Sequence, residues 1–173
     1  MKISIIKELN TDGEIRSDFT VMKQLRTHLD ELQYVDLVKE AKEVDNYLLH
    51  VLFENEEIVA VCGFKSMITL YYGRLVWVCD LVTDHKIRSK GHGKKLFDFV
   101  YEWAEKNNYE SFALSSVLAR KEAHRFYEEK IDYDKSSFMF KKSIKNVEYF
   151  VPNFPCISAS AGSTGRSRHR TVR

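Results

Sequence analysis

The amino-acid sequence predicts one α/β domain with a mixed β-sheet. Short apolar runs of strand length alternate with segments whose apolar residues recur at helical spacing, in the order strand, helices, two or three strands, helix, strand, helix, strand. The chain of 173 residues has the size of one ordinary domain with its own core, and it contains no internal repeat. These observations favour helices packed on a sheet and exclude a repeat protein.

The first part of the chain predicts a strand, a helical region and a hairpin. Residues 1–8 alternate weakly between apolar and polar side chains, which is typical of a strand. Segment 17–44 is predicted to be helical, and its first apolar residues share one face: Phe19, Met22, Leu25 and Leu29. Residues 46–65 hold two strand-like runs divided by the polar sequence ENEE, and this pattern predicts a β-hairpin.

The second part of the chain continues as strands and helices in alternation. The β-branched run LVWVCDLVT at 75–83 predicts a strand, and residues 95–106 predict an amphipathic helix. Residues 111–117, 121–130 and 136–144 predict a strand, a short helix and a final strand.

Beyond residue 144 the periodic pattern stops. The sequence ISASAGSTGRSRHRTVR is rich in serine, glycine and arginine and has no apolar period, so it lacks the apolar surface that folding requires. We therefore divide the chain into a domain at 1–144 and a tail at 145–173. The tail is expected to be disordered or a non-native extension.

The net charge of +2 is unevenly distributed along the chain. Residues 145–173 carry five basic side chains and one acidic side chain, a net charge of +4, which leaves −2 for residues 1–144. A slightly acidic domain does not have the electrostatic footprint of a nucleic-acid-binding protein. An interaction with nucleic acid would rest on the four arginines of the tail alone.

The composition also bears on the location of the protein and on metal binding. No apolar run approaches the roughly 20 residues of a membrane-spanning helix, and the N-terminus turns polar too early for a secretory signal peptide. We therefore expect a cytoplasmic protein with no membrane partner. The three cysteines, Cys62, Cys79 and Cys156, show neither CxxC spacing nor a zinc-ligand spacing to histidine, so we expect no metal site.

A basic, glycine-containing sequence, RSKGHGKK, separates the predicted strand at 75–83 from the predicted helix at 95–106. Gly91 and Gly93 have no Cβ atoms, so an anion can approach the backbone closely at the start of the helix. Arg88, Lys90 and Lys94 add full positive charges. The stretch predicts a phosphate or pyrophosphate site.

Three phosphate-binding motifs compete for this stretch. A Walker loop fails because Arg88 occupies its first glycine position and Lys95 its Ser/Thr position. The dinucleotide fingerprint GxGxxG fails because its third glycine is Leu96. The pattern R/Q-x-x-G-x-G/A is satisfied in full by RSKGHG.

With this motif the sequence resembles the GCN5-related N-acetyltransferase (GNAT) family, whose members bind the pyrophosphate of acetyl-CoA on such a loop. The sequence DLVT ends five residues before Arg88, as in the family, and AHRFYEEK resembles the family's late helix. The element order agrees over residues 1–144. The resemblance implies a mostly antiparallel central sheet flanked by helices and splayed between the fourth and fifth strands, and it is compatible with a homodimer.

The resemblance also implies roles for individual residues. The backbone groups of the splayed strand, at Leu81, Val82 and Thr83, would hold the pantetheine arm, and Tyr127 would be the general acid for the departing thiolate. Residues expected at the CoA phosphates are Arg88, Ser89, Lys90, Gly91, His92, Gly93, Lys94 and Arg120. Arg120 replaces an asparagine that is frequent in the family.

The general base is the weakest match. Many relatives have a carboxylate where this chain has Ser115, which cannot act as a general base at neutral pH. Asp80 is the best remaining carboxylate and His124 a second candidate. Three of the candidate site residues also have a structural interpretation. Asp80 would be the partner of a basic side chain, Tyr127 a core aromatic beside Phe126, and His92 a packing residue. Of the two aromatics, Phe126 is expected to be the core residue.

Two functions follow from the resemblance. The first is an N-acetyltransferase that transfers the acetyl group of acetyl-CoA directly to a primary amine of a small molecule or protein. The alternative, favoured by Ser115, is a catalytically weak module that binds or senses acyl-CoA. Acceptor choice in this fold lies mainly in residues 19–45 and 132–138. The carboxylates of THLDELQYVDL, at 27–37, suit a cationic amine.

Overall fold

Five strands form one sheet in chain order in the computed structural model, which describes residues 4–137 and 139–142. The strands are β1 Ser4–Glu8, β2 Leu48–Glu54, β3 Glu57–Thr69, β4 Gly73–Thr83 and β5 Ser111–Leu114. The helices are α1 Asp12–Ser17, α2 Phe19–Met22, α3 Glu31–Asp45, α4 His92–Lys106 and α5 Lys121–Arg125. A 3₁₀ turn, His85–Ile87, precedes α4, and a π-helical turn, Phe126–Lys130, follows α5.

The sheet is mixed, as the sequence predicts. Strands β1 to β4 pair antiparallel with their chain neighbours, and β4 pairs parallel with β5. A parallel pair needs a crossover, and α4 supplies it between β4 and β5. The prediction of a mostly antiparallel sheet flanked by helices is confirmed.

The sheet opens between β4 and β5. Their last register pair joins Val78 to Leu114, whereas β4 continues to Thr83. Along residues 79–83, β4 therefore pairs with β3 alone within the described chain. This is the splay between the fourth and fifth strands that the resemblance implies.

A β-bulge lies where the splay begins. Asp80 stands opposite Gly63 and Val78 opposite Phe64, so Cys79 is the extra residue on β4. A Cβ atom on Gly63 would lie 1.6 Å from the hydroxyl oxygen of Tyr47. Only glycine leaves the room that the Tyr47 ring occupies beside the bulge.

Each face of the sheet carries its own apolar cluster, because successive strand residues point to opposite faces. The cluster under α1, α2 and α3 includes Ile15, Val21, Val35, Leu49 and Val61. The cluster under α4 includes Leu52, Phe64, Leu96, Phe97 and Val100. The helices thus cover both faces, and the splay lies between the two clusters.

Capping explains where the early helices begin. Thr11 and Glu14 form a capping box at α1, and Asp30 forms another with Gln33 at α3. Helix α3 ends at Asp45, and its C-cap residue, Asn46, has a left-handed φ of 52°. The predicted helical region 17–44 is therefore three helices that start earlier, at Asp12.

Other predicted boundaries shift. Helix α4 begins three residues early because Gly91, with a φ of 83°, already turns the chain into it. Strand β5 ends at Leu114 rather than at 117. The predicted final strand at 136–144 is wrong where it is described: residues 136, 137 and 139–142 form no strand, and Phe140 is 94% exposed rather than packed. Residue 138 and residues from 143, including the predicted tail, lie outside the described chain.

Candidate functional site

The loop that leads into α4 has the backbone of an anion-binding turn. Ser89 and Gly91 both have left-handed φ angles, 64° and 83°. Gly91 is the N-cap of α4 and provides no side-chain bond to the N–H groups of the first turn. These N–H groups and the positive end of the 15-residue helix are available to an anion.

The two glycines of the motif have different surroundings. A Cβ atom on Gly91 would meet nothing within 4 Å, so the space beside it is open. A Cβ atom on Gly93 would lie 3.0 Å from Thr83 Oγ1. Gly91 thus fits a ligand-facing role, and Gly93 allows close packing of α4 on the end of β4.

The charged side chains of the loop are at the surface. Arg88, Ser89 and Lys90 are exposed, and Lys94 is paired with Asp98 at 2.6 Å. His92, in contrast, is buried, and its Nε2 lies 3.8 Å from Glu54 Oε2, beyond hydrogen-bond distance. This position favours the packing role of His92 over a role above a cofactor.

The open edge of β4 presents backbone rather than side chains. Val82 is buried in the cluster under α1 to α3, and Leu81 packs against the cluster under α4. With its side chains directed to the two faces, this part of β4 leaves backbone N–H and C=O groups on the edge that β5 does not cover. An extended ligand with amide groups can pair there as a further strand would.

Asp80 is held by two hydrogen-bond donors at the bulge. Arg26 Nε donates to Asp80 Oδ1 at 2.6 Å, and Arg26 Nη2 donates to the carbonyl oxygen of Cys79 at 2.9 Å. The hydroxyl of Tyr47 donates to Asp80 Oδ2 at 2.8 Å. Burial raises the pKa of Tyr47 well above its usual value, so this hydroxyl remains a donor. The arrangement favours the structural interpretation of Asp80.

A second carboxylate, Asp18, lies buried on the same side of the sheet and was not found by sequence reasoning. It is fully buried; its Oδ2 accepts a hydrogen bond from the Tyr34 hydroxyl at 2.8 Å, and its Oδ1 has no partner within the described chain. Burial raises the pKa of Asp18 to about 7, opposed by the Tyr34 bond and assisted by the charge of Asp80. One sequence signal was available: Asp18 is in helical register with Val21 and Met22, which are buried.

Tyr127 lies in the π-helical turn and packs against the cluster under α4. Its ring centroid is 6.4 Å from that of Phe97 and 5.4 Å from that of Phe126. Its hydroxyl makes no hydrogen bond to another described residue. Burial raises its pKa to about 12, and the charge of Arg120 opposes this shift. Phe126, expected to be the core residue of the pair, is not part of the cluster that Tyr127 joins.

The remaining candidate residues lie in the β5–α5 segment. Ser115 is exposed just beyond β5, and His124 is partly buried on α5. Arg120 precedes α5, and its Nη2 donates to the carbonyl oxygen of Leu25 at a long 3.4 Å. Arg120 is near enough to Tyr127 and Arg26 for their charges to affect its pKa, and Arg26 in turn bonds Asp80.

Two general properties concern the described residues only. None of their helices is long and apolar enough to cross a bilayer. Their His, Cys, Asp and Glu side chains do not gather in groups of three that could bind a metal ion.

Comparison with known proteins agrees with this geometry. The model of the acetyltransferase (GNAT) family matches residues 14–133. The uncharacterized N-acetyltransferase YhdJ of Bacillus subtilis (strain 168) is 37% identical over 139 residues, which are 80% of this chain and 98% of that protein.

Solved structures share the fold at lower identity. An aminoglycoside N-acetyltransferase, AAC(6')-Iy in complex with CoA, has a TM-score of 0.73 at 11% identity and covers 84% of this chain and 97% of its own. Glucosamine-6-phosphate N-acetyltransferase from Arabidopsis thaliana has a TM-score of 0.65 at 18% identity, with 83% and 99% covered. With the splayed sheet, the glycine loop and these matches, the chain belongs to the acetyltransferase (GNAT) family.

Proposed function

We propose that this acetyl-CoA-dependent acetyltransferase delivers the acetyl group directly to a primary amine of a small molecule or protein. The observation that carries the proposal is the open edge of β4, residues 79–83, which is followed along the chain by the left-handed loop before α4. The edge suits an amide-containing arm, and the loop suits a pyrophosphate.

In this proposal the chain holds acetyl-CoA mainly by backbone groups. Leu81, Val82 and Thr83 pair with the pantetheine arm. Residues 89–94 bind the pyrophosphate with the N–H groups of the loop and of the first turn of α4, and Arg88 adds a full charge. When bound, acetyl-CoA supplies an acetyl group that is activated as a thioester.

Tyr127 is the proposed general acid. A pKa of about 12 keeps the phenol protonated at neutral pH, so it has a proton to give. Its hydroxyl has no hydrogen-bond partner in the described chain and is therefore available to a ligand. In our proposal, Tyr127 donates this proton to the sulfur atom that leaves as the thiol.

For the proton of the amine, Asp80 remains the proposed base. Both of its oxygens already accept hydrogen bonds, from Arg26 and from Tyr47. Each oxygen has a second lone-pair site for the amine proton, but taking it up would neutralise the partner of Arg26. If Asp80 does not accept this proton, it only holds the bulge, and the amine loses its proton to water.

The alternative function is a module that binds or senses acyl-CoA without efficient turnover. Two observations favour it: Ser115 stands where a carboxylate is frequent in the family, and Asp80 is engaged by two donors. In that case the acetyl-CoA surface keeps its role, and the acceptor side has no catalytic base.

A thiol-release assay over a panel of primary amines distinguishes the two functions. The amines should include polyamines, amino sugars, amino acids and lysine peptides, each at saturating acetyl-CoA. The transferase proposal predicts amine-dependent release of free CoA and formation of the N-acetyl product, detected by mass spectrometry. Tight acetyl-CoA binding without release on any amine would support the sensing module and contradict the transferase.

A further inference from the structure

This inference rests on the proposed function and concerns the chemistry of the acceptor. The connector between α2 and α3, residues 23–30, lies beside the splay because its Arg26 bonds Asp80 and the carbonyl of Cys79. It belongs to the region 19–45 that the resemblance associates with acceptor choice. The charges around this connector therefore bear on which amines can bind.

Most of the carboxylates at 27–37 that indicated a cationic acceptor make hydrogen bonds or ion pairs within the protein. Asp30 caps α3 through a capping box. Glu31 pairs with Arg16 at 3.2 Å, and Asp36 is exposed on α3. Because two of the three have internal roles, the basis for a cationic acceptor is weak.

The side chain of Arg120 brings a positive charge to the connector. Arg120 comes from the β5–α5 segment, and its only hydrogen bond within the described chain is the long one, 3.4 Å, to the carbonyl oxygen of Leu25. No described carboxylate pairs with Arg120 within 4.0 Å. An arginine fork in this position has donors to spare.

The neighbouring charges leave this corner with a positive surplus. Arg26 is neutralised by Asp80 at 2.6 Å. Desolvation first, and then the charges of Arg26 and Arg88, lower the pKa of Arg120, while Tyr127 opposes them. Arg26, Arg88 and Arg120 are thus close enough for their charges to interact unfavourably, and a bound anion would relieve that repulsion.

We propose that Arg120 binds an anionic group, a carboxylate or a phosphate, that the acceptor amine carries. The preferred acceptors are then amines with a second, negatively charged end. Guanidinium binds either anion in a two-pronged geometry, so the group can fix the direction in which the amine approaches.

CoA also carries phosphates, and the sequence alone assigned Arg120 to one of them. The position of its guanidinium favours the acceptor. Leu25, which it contacts, is next to Arg26, and Arg26 is anchored where the splay begins at Cys79. The pyrophosphate loop starts only after β4 and the 3₁₀ turn, but its neighbour Arg88 is near enough to lower the pKa of Arg120, so the experiment must separate the two ligands.

The first arm of the test needs no known acceptor. The full-length protein is saturated with CoA, so that the CoA phosphates are in place, and is titrated with inorganic phosphate by calorimetry. We expect the wild type to bind phosphate and Arg120→Gln to bind it at least about tenfold more weakly. Arg125→Gln is the matched control, because Arg125 ends the short helix that Arg120 precedes and, within the described residues, pairs with Glu122 and Glu129.

The second arm compares amines that differ only in an anionic group: ethanolamine with O-phosphoethanolamine, propylamine with β-alanine, and glucosamine with glucosamine 6-phosphate. In the wild type kcat/KM should be higher for the anionic member of at least one pair. The preference is the kcat/KM of the anionic amine divided by that of its matched amine without the anionic group. Arg120→Gln should lower this preference about 10-fold or more, and Arg120→Lys should restore part of it. Circular dichroism checks that each variant is folded.

The outcomes separate this inference from the proposed function. Phosphate binding that is absent, or equal in the wild type and Arg120→Gln, overturns the inference. The inference is also overturned if Arg120→Gln loses affinity for acetyl-CoA while the kcat/KM preference for the anionic amine of each pair is unchanged. Arg120 would then bind a CoA phosphate. Failure of the wild type to bind acetyl-CoA overturns the proposed function itself.

Discussion

At the scale of single residues, Tyr127 combines a packed ring with a hydroxyl that a ligand can reach. Its ring packs in the cluster under α4, yet its hydroxyl bonds no described residue. The hydroxyl is not among the fully buried polar atoms that lack a partner, so a ligand atom can reach it. The hydroxyl, rather than the ring, is thus the part of Tyr127 on which the proposal depends.

Tyr127→Phe should leave the fold intact and slow the reaction. Phenylalanine keeps the ring and its packing against Phe97, so the melting temperature should stay within a few degrees of the wild-type value. If the hydroxyl protonates the sulfur, kcat should fall roughly 10²-fold or more and KM should change little. Tyr133→Phe is the control, because Tyr133 packs on the same Phe97 ring at 5.5 Å. An unchanged kcat would make Tyr127 a core aromatic.

Asp80→Asn separates a base from a structural anchor. Asparagine can still accept the Tyr47 hydrogen bond, but it leaves the Arg26 charge without a counter-ion, so we expect the free energy of unfolding to fall by about 1–3 kcal/mol. The pH profile of kcat carries the mechanistic information. If the loss of kcat relative to the wild type becomes smaller at high pH, where the amine is already neutral, Asp80 acts as a base. If the loss of kcat is the same at every pH, Asp80 has a structural role.

The sequence could predict the residues of a local motif but not the partners of distant ones. Gly91, Gly93 and Arg88 lie within one short stretch, so their spacing alone identified them. The bonds of Asp80 to Arg26 and to Tyr47 span 54 and 33 positions, and they exist only once the helices have packed on the sheet. The base therefore remained ambiguous in the sequence.

At the scale of elements, the connector at residues 23–30 holds both ends of the open edge of β4. Arg26 bonds the bulge at its start. Gln24 accepts a hydrogen bond from the backbone N–H of His85, just beyond its end, at 2.9 Å. The edge that would pair with the pantetheine arm is thus fixed from the helix side, without help from β5.

Gly63→Ala tests the bulge directly. Its Cβ atom would overlap the Tyr47 hydroxyl, so the ring must move away from Asp80 and the bulge must distort. We expect the free energy of unfolding to fall by about 1–3 kcal/mol, measured by urea denaturation. Gly13→Ala is the matched control, since its Cβ atom would meet nothing within 4 Å. Equal stability of the two variants would contradict the packing described for Tyr47.

Element types were more predictable from the sequence than element ends. The amphipathic period identified α4, but its start depends on the left-handed φ of Gly91, which the period does not record. The alternating pattern at 136–144 predicted a strand, and the described part of it pairs with no other strand. Pairing needs a free sheet edge in the right place, which a local pattern cannot indicate.

At the scale of the whole molecule, one buried carboxylate should influence how stability depends on pH. The pKa of Asp18 is about 7 in the fold against 3.8 for an aspartic acid in water, because burial disfavours its charge. The folded protein therefore binds more protons than the unfolded chain between about pH 4 and pH 7. Stability from this group is complete below about pH 4 and is lost as the pH rises through about 7.

Asp18→Asn should remove this dependence and keep the Tyr34 hydrogen bond. The stability of the variant relative to the wild type should rise by up to about 1.4 kcal/mol for each pH unit between pH 5 and pH 7. The free energy of unfolding of the variant must be compared with that of the wild type at each pH, because burial also lowers the pKa of His50. That shift changes stability with pH in the opposite direction, and it is present in both proteins. Parallel stability curves for the two proteins would show that Asp18 is already ionised in the fold.

For the molecule as a whole, the order of elements and the glycine loop sufficed to predict the family. The family match at residues 14–133 covers the loop and the late helix, where the specific motifs lie. The chemistry of the acceptor could not be predicted in the same way. It depends on which carboxylates are used in caps and ion pairs, as for Asp30 and Glu31, and on which arginines, such as Arg120, are left over.

Calorimetric titration of the wild type and Gly91→Val with acetyl-CoA tests the central claim most directly. Gly91 has open space around it but a φ of 83°, so a branched side chain would strain the loop and cover the N–H groups at the start of α4. The account predicts saturable binding to the wild type and no measurable binding to Gly91→Val, with circular dichroism showing that both are folded. Equal affinity of the two proteins for acetyl-CoA would contradict the assignment of the loop.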